Sequence, residues 1–193
     1  MGRRRWMLLT GIAVIIPSVL LYTIARRRGR RTSVDVNKKN GTPVEYTEEQ
    51  RRYHDMLHSL KERANAHFQA SRYEEALAAY QECLDVTAAL RDVDAESMLV
   101  DYTVRANVVM VFLRLQRPEE ARIMATLLLQ QPDSTASPLP NDLKVKVLYR
   151  RGLASRALGD NESALCDFRA AVQLSPGQRN LQAEKEIAAL LHS

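Results

Sequence analysis

The chain has 193 residues, a net charge of +5 and a pI near 9.4. The charge is uneven, because residues 1–31 contain eight arginines and no acidic residue, which leaves the remaining residues at −3. The high pI therefore gives no support to nucleic-acid binding by the rest of the chain. Cys83 and Cys166 lack the short spacing of a metal knuckle, and two lone thiols fit a reducing compartment.

The first predicted element is a membrane span. The 20 residues from Trp6 to Ala25 carry no charge and are long enough to cross a hydrocarbon core of about 30 Å. A cleaved signal peptide is the competing interpretation, but no small-residue cleavage site precedes Arg26 and the run exceeds a usual signal-peptide core. A matrix presequence is disfavoured because the run is uniformly apolar. We therefore predict that residues 1–31 form an N-terminal signal-anchor with basic flanks.

The flanks of this span predict its orientation. Three arginines precede it, and five follow it within residues 26–31. Positive charge favours the cytosolic side of a membrane, so the heavier C-terminal flank predicts a cytosolic location for the following domain.

Residues 32–46 predict a flexible linker, because they are polar and contain the turn-forming run Lys38 to Pro43. The following Thr-Glu-Glu-Gln at 47–50 has the form of a capping box, which predicts that a helix begins there. Residues 47–193 are then expected to form one domain, a size that supports a single core.

A recurring pattern predicts three helical hairpins in this domain. Ala76, Ala121 and Ala164 mark equivalent positions in the second helix of each pair, where a small residue lets two helices approach closely. Their spacings of 45 and 43 residues exceed the usual period of about 34. The extra residues predict longer helices over 86–103 and a loop over 133–142. The predicted repeats are 57–92, 102–135 and 145–178, and a capping helix is predicted over 179–192.

The third repeat, which opens with Lys-Val-Leu-Tyr-Arg-Arg-Gly at 146–152, closely resembles a tetratricopeptide repeat. Residues 57–192 as a whole resemble the tetratricopeptide domain of large immunophilins and related co-chaperones. The resemblance implies an all-α fold, with three helix-turn-helix repeats in a right-handed superhelix and a C-terminal capping helix, here preceded by one transmembrane helix. The residues before 57 leave no room for the immunophilins' prolyl isomerase domain.

Five polar residues match the carboxylate clamp of that family, which grips the C-terminal Glu-Glu-Val-Asp of cytosolic heat-shock chaperones. They are Lys61, Asn65, Asn107, Lys146 and Arg150. Lys61 with Asn65, and Lys146 with Arg150, are four residues apart, so each pair projects from one helix face. All five side chains can donate hydrogen bonds to a carboxylate. Taken singly, each of them is more typical of a solvated helix surface or, for Asn65, of a structural role.

The predicted function is therefore that of a membrane-anchored co-chaperone. Its predicted partners are the C-terminal tails of cytosolic 90-kDa and 70-kDa heat-shock chaperones, which it would bring, with client precursors, to an organelle surface. The mitochondrial outer membrane is the predicted location, and the endoplasmic reticulum is the second choice. A scaffold or tethering subunit, whose groove binds a partner helix by apolar contacts, remains the alternative.

No enzyme activity, cofactor or metal is predicted. His54 and His58 have the i,i+4 spacing of helical zinc ligands. A third ligand is lacking, however, so both are expected to be ordinary surface residues of a helix. No phosphate-binding glycine loop or nucleophile elbow occurs in the sequence.

Overall fold

The structure is a computed structural model that describes residues 32–35, 44–90, 95–131 and 138–192. The predicted span at 6–25 lies outside these residues, as does the first half, 133–137, of the predicted loop at 133–142. Within the described ranges, no helix combines the length and the apolar character that crossing a membrane requires.

Two short strands precede the helices. Strand β1, Thr32–Asp35, pairs antiparallel with β2, Val44–Thr47, so that Thr32 faces Thr47. This ladder lies where the sequence predicts a flexible linker. Both strands contain β-branched residues, which favour extended backbone in spite of the polar composition of the segment.

Seven α-helices follow in the described part of the chain, and they confirm the all-α prediction for the domain. They are α1 (Glu48–Gln69), α2 (Tyr73–Leu90), α3 (Ala95–Arg114), α4 (Pro118–Leu129), α5 (Asn141–Ala157), α6 (Asn161–Leu174) and α7 (Leu181–Leu191), with a 3-10 turn at Pro176–Gln178. Consecutive helices pack as the hairpins α1/α2, α3/α4 and α5/α6, and α7 packs on α6. The first helices of the hairpins also touch, α1 with α3 and α3 with α5, so they form one continuous surface.

Local sequence signals account for several helix ends. The Thr47 hydroxyl accepts a hydrogen bond from the Gln50 N–H at 3.1 Å, and the Gln50 side chain accepts one from the Thr47 N–H at 2.8 Å. This reciprocal pair confirms the predicted capping box at the start of α1. Asp160 caps α6 by accepting from the Ser163 N–H at 3.0 Å. Gly159 adopts a positive φ of 80° between α5 and α6, a conformation that favours glycine.

Small residues at the helix contacts determine how closely the hairpins pack. The alanines Ala76, Ala121 and Ala164 are all fully buried, as the repeat pattern predicts. Gly152 lies directly against the ring of Phe168, because a Cβ built on this glycine would be only 2.6 Å from the ring. Helices α5 and α6 therefore approach too closely at this point to admit a larger residue without rearrangement.

Candidate functional site

A pocket of about 180 Å³ brings together three of the five predicted clamp residues. It lies where α2 meets the shared surface of α1, α3 and α5, and we call it the groove pocket. Its lining residues are Asn65, Phe68, Gln69, Tyr80, Asn107, Met110 and Arg150.

The packing of α1 and α3 explains why the two asparagines meet in this pocket. Asn65 follows Ala64, and Asn107 follows Ala106, and both alanines are fully buried. Successive helical residues are offset by about 100°. Each asparagine is therefore half-buried at the edge of a helix contact, where its carboxamide reaches the groove pocket.

The hydroxyl of Tyr80 connects these two carboxamides. It donates a hydrogen bond to Oδ1 of Asn65 at 2.5 Å, and the Asn107 side chain is also hydrogen-bonded to it. Burial raises the pKa of Tyr80, whereas the bond with Asn107 and the positive charge of Arg150 oppose that rise. The phenol is thus neutral near pH 7 and able to donate.

Arg150 supplies the positive charge of the groove pocket. One of its Nη atoms donates to the backbone carbonyl of Ala106 on α3. Burial lowers the pKa of its guanidinium, and the nearby Tyr80 hydroxyl opposes this shift. Among the residues that the structure describes, no carboxylate forms an ion pair with Arg150. A largely buried cation without a counter-ion is costly, so this site favours an incoming anion.

The two predicted clamp lysines do not line the groove pocket. Lys61 lies one turn before Asn65 on α1 and is half-buried, and its charge opposes the rise in the pKa of Cys83. Lys146 lies one turn before Arg150 on α5, is exposed, and has its Nζ 3.8 Å from a carboxylate oxygen of Asp142. The predicted set is therefore only partly assembled, with the asparagines and arginine together and the lysines on the adjacent turns.

The sequence did not identify Tyr80 as a site residue. Tyr80, Ala125 and Phe168 each lie four residues after the marker alanine of their hairpin, and all three are buried. Only the first of these three positions carries a hydroxyl. That difference is visible in the sequence, but its meaning depends on how α1, α2 and α3 pack.

A second pocket, of about 300 Å³, lies between α4, α5 and α6. Its lining residues are Arg122, Thr126, Arg151, Ser155, Ser163, Cys166 and Asp167. Arg151 donates two hydrogen bonds, of 2.8 and 2.7 Å, to the buried carboxylate of Asp167. Arg122 lies 3.6 Å from the carboxylate of Asp160. Both arginines of this pocket thus have carboxylate partners within the chain.

The histidine pair of α1 shows no metal-site geometry. His54 is buried, which makes its predicted surface position wrong, because it lies one turn before the fully buried Leu57 and shares that face of the helix. His58 is exposed and lies 3.5 Å from the carboxylate of Glu96. In the described ranges, no three His, Cys, Asp or Glu side chains come together as metal ligands.

Comparisons with known proteins agree with this architecture. Residues 145–178, which are the predicted third repeat, match the family model of the tetratricopeptide repeat. No curated protein matches the sequence significantly.

Several solved structures share the fold. The second TPR domain of human RPAP3, determined in complex with the HSP70 peptide SGPTIEEVD, has 29% identity and a TM-score of 0.53, over 72% of this chain and 98% of that one. The first TPR of Spaghetti (RPAP3), bound to the HSP90 peptide SRMEEVD, has 23% identity and a TM-score of 0.53, over 70% and 90% of the two chains. The Arabidopsis OM64 TPR domain has 24% identity and a TM-score of 0.54, over 72% and 96%.

The fold is a stack of helical hairpins with a ligand-sized pocket on the surface of their first helices. More narrowly, residues 145–178 match the tetratricopeptide repeat, and the solved structures that share the fold are tetratricopeptide repeat domains. Domains of this kind are protein-interaction modules.

Proposed function

We propose that this chain is a membrane-anchored tetratricopeptide adaptor that binds the free C-terminal tail of cytosolic heat-shock chaperones. One observation supports this most directly. The groove pocket gathers Asn65, Asn107 and Arg150, and among the described residues no carboxylate is paired with the arginine. These side chains offer donors and positive charge to a ligand that is itself an acceptor and negative.

A terminal aspartate fits this pocket chemically. It carries two carboxylates, which only accept hydrogen bonds, and the amides and guanidinium of the pocket can donate to them. Lys61 and Lys146 have long flexible side chains one turn away, and they can reach the second carboxylate or an upstream glutamate. Charge-assisted hydrogen bonds contribute about 1.5–3 kcal/mol each, and the ordering of a flexible tail opposes them. We expect a dissociation constant on the order of micromolar, which corresponds to a binding free energy of about −8 kcal/mol.

The solved relatives support this choice of partner. Two of them were determined with chaperone peptides, one from HSP70 and one from HSP90, and both peptides end in Glu-Glu-Val-Asp. By this reasoning, Lys61, Asn65, Asn107, Lys146 and Arg150 form a carboxylate clamp in this chain. No catalytic step is assigned to the protein, which acts by tethering.

The membrane part of the proposal rests on the uncharged run at 6–25 and its arginine flanks. The anchor would hold the domain on the cytosolic face of the mitochondrial outer membrane or, as second choice, of the endoplasmic reticulum. Expression of the full chain with a fluorescent C-terminal tag tests this, because the tag should mark one organelle and be digested by protease added to permeabilised cells. A protected tag would contradict the cytosolic orientation.

Peptide titration tests the clamp. The purified full chain should bind Met-Glu-Glu-Val-Asp as the free acid and only weakly as the C-terminal amide, and Arg150→Ala should abolish the difference. Arg156→Ala is the matched control, since it removes an equal charge from the same helix, where Arg156 binds Glu186 of α7 instead of lining the groove pocket. Equal binding of acid and amide, or no binding of either, would contradict the clamp.

A scaffold that binds an apolar partner helix is the second candidate, because Phe68 and Met110 give the groove pocket apolar walls. Salt separates the two functions. Clamp binding should weaken steeply between about 50 and 500 mM salt, because added ions screen its charges, while apolar binding should be nearly constant.

A further inference from the structure

The position of Tyr80 sets it apart from the other residues of the groove pocket. Its side chain comes from α2, whereas the predicted clamp residues lie on α1, α3 and α5. It is 2% exposed, so its ring belongs to the core, and only the hydroxyl is placed to meet the two asparagines.

The directions of its hydrogen bonds follow from the atoms involved. The hydroxyl has a single hydrogen, which it donates to Oδ1 of Asn65. Because that hydrogen is already used, the phenol oxygen can only accept from the neighbouring Asn107, whose side-chain donor is its NH2 group. The hydroxyl therefore accepts from one asparagine while it donates to the other.

These two bonds determine which atoms the asparagines can present to a ligand. The oxygen of Asn65 is occupied, which leaves its NH2 group to donate. Asn107 uses one N–H for the phenol and keeps the second. A rotated carboxamide would instead place an oxygen against the ligand's carboxylate, and two acceptors repel.

We propose that Tyr80 is a positioning residue of the clamp, which holds the carboxamides of Asn65 and Asn107 with their N–H groups directed to the terminal carboxylate of the bound tail. This role rests on the proposed function. Tyr80 does not itself need to touch the ligand, because it acts through the two asparagines.

The other hairpins show that the hydroxyl is not required for packing. The equivalent position in the third hairpin is Phe168, which is fully buried, and in the second it is Ala125. A phenylalanine at position 80 keeps the ring and its core contacts, and it removes only the oxygen. Tyr80→Phe therefore tests the hydrogen bonds of the hydroxyl without changing the packing of the ring.

The experiment titrates the full chain with Met-Glu-Glu-Val-Asp as free acid and as C-terminal amide. Loss of a neutral hydrogen bond corresponds to a change of about threefold to tenfold in affinity. We expect Tyr80→Phe to weaken binding of the acid by this factor and to leave the weak binding of the amide unchanged. Tyr102→Phe is the matched control, because it removes the hydroxyl of an equally buried tyrosine that does not line the groove pocket.

A second pair of variants separates positioning from a general structural effect. In an Asn65→Ala, Asn107→Ala background, Tyr80→Phe should have almost no further effect on binding of the acid, because the groups it orients are gone. If the loss is instead the same in both backgrounds, the positioning role is overturned. If wild type binds the acid and Tyr80→Phe binds it equally, that role is overturned while the clamp stands.

Failure of the proposed function gives a different result, since wild type itself would not bind the acid, and the role of Tyr80 would fall with it. Should Tyr80→Phe fold poorly, side-chain amide NMR of wild type replaces it. The Asn65 and Asn107 NH2 shifts should differ from those of a freely rotating asparagine side chain in the free protein and move on addition of the acid peptide. Shifts typical of a freely rotating, exposed asparagine at both positions in the free protein would overturn the proposal.

Discussion

Arg150 and Arg151 are neighbours in the chain, but they lie in two pockets that differ in electrostatic character. Arg151 points into the larger, second pocket and forms two hydrogen bonds with the buried carboxylate of Asp167. Arg150 points into the smaller groove pocket, where a backbone carbonyl accepts one of its hydrogen bonds. The pKa of Arg151 is raised, first of all by its bond to Asp167, and that of Arg150 is lowered by burial.

Pocket size alone therefore does not indicate which of the two pockets suits an anionic ligand. The second pocket has the larger volume, but its arginines are already neutralised by carboxylates of the same chain. The groove pocket retains an uncompensated charge and several amide donors. An anionic ligand gains more from the pocket in which the protein has not supplied its own anion.

The largest expected effect comes from Arg151→Ala, which breaks the second pocket. It leaves the carboxylate of Asp167, which is 4% exposed, buried without its cation. We expect a loss of about 3 kcal/mol in the free energy of unfolding, measured by urea denaturation. The double variant with Asp167→Ala should lose less than the sum of the two single changes, and additive losses would show that the pair does not interact.

A smaller loss is expected from Gly152→Ala, which tests the close packing behind both arginines. The new methyl group would meet the Phe168 ring at 2.6 Å, and that ring is fully buried and cannot move aside freely. We expect about 2 kcal/mol of destabilisation in a thermal melt, in spite of the higher helix propensity of alanine. The double variant Gly152→Ala, Phe168→Leu should recover part of the lost stability. An unchanged melting temperature for the single variant would contradict the packing.

Arg150→Leu sharpens the comparison in the other direction. It removes a buried cation and fills the space with an apolar side chain, so stability should stay within about 1 kcal/mol of wild type or rise. Binding of the free-acid peptide should be lost in the same variant. A large destabilisation would indicate that Arg150, like Arg151, is chiefly a structural residue.

The two cysteine thiols are expected to have the smallest effect on the free energy of unfolding near neutral pH. Burial raises the pKa of Cys83 from 9.0 to about 11, whereas Cys166 is exposed in the second pocket. Because the unfolded thiol ionises first, the free energy of unfolding should be unaffected below about pH 9 and fall as the pH rises towards 11. Cys83→Ala should flatten this slope. At pH 8, iodoacetamide should label Cys166 long before Cys83, and equal rates would contradict the burial difference.

The sequence predicted the helical architecture well because the pattern that specifies it is local. Buried alanines recur at fixed places in each hairpin, and the capping box at 47–50 identifies the start of α1 without any tertiary information. The strands in residues 32–47 were missed, because pairing between two short polar segments depends on partners that composition does not reveal.

The site could be predicted only in part. The i,i+4 spacings place Asn65 and Arg150 on particular helix faces. The sequence does not predict, however, that Arg151 has a carboxylate partner and Arg150 has none among the described residues. Asp167 lies a full helix away in sequence and meets Arg151 only when α5 packs on α6. The bonds of Tyr80 likewise join residues of three helices, so its role cannot be inferred before the packing is known.

The groove pocket draws its donors from α1, α3 and α5, one helix from each hairpin. No single described hairpin contains all the lining residues, so the groove pocket exists only in molecules in which the three hairpins are stacked. Because a ligand stabilises only the state that binds it, an occupied groove should suppress the separate fraying of either end of the array. Amide hydrogen exchange should then slow in α1 and α5 together, because the bound tail would couple the stability of the first hairpin to that of the third.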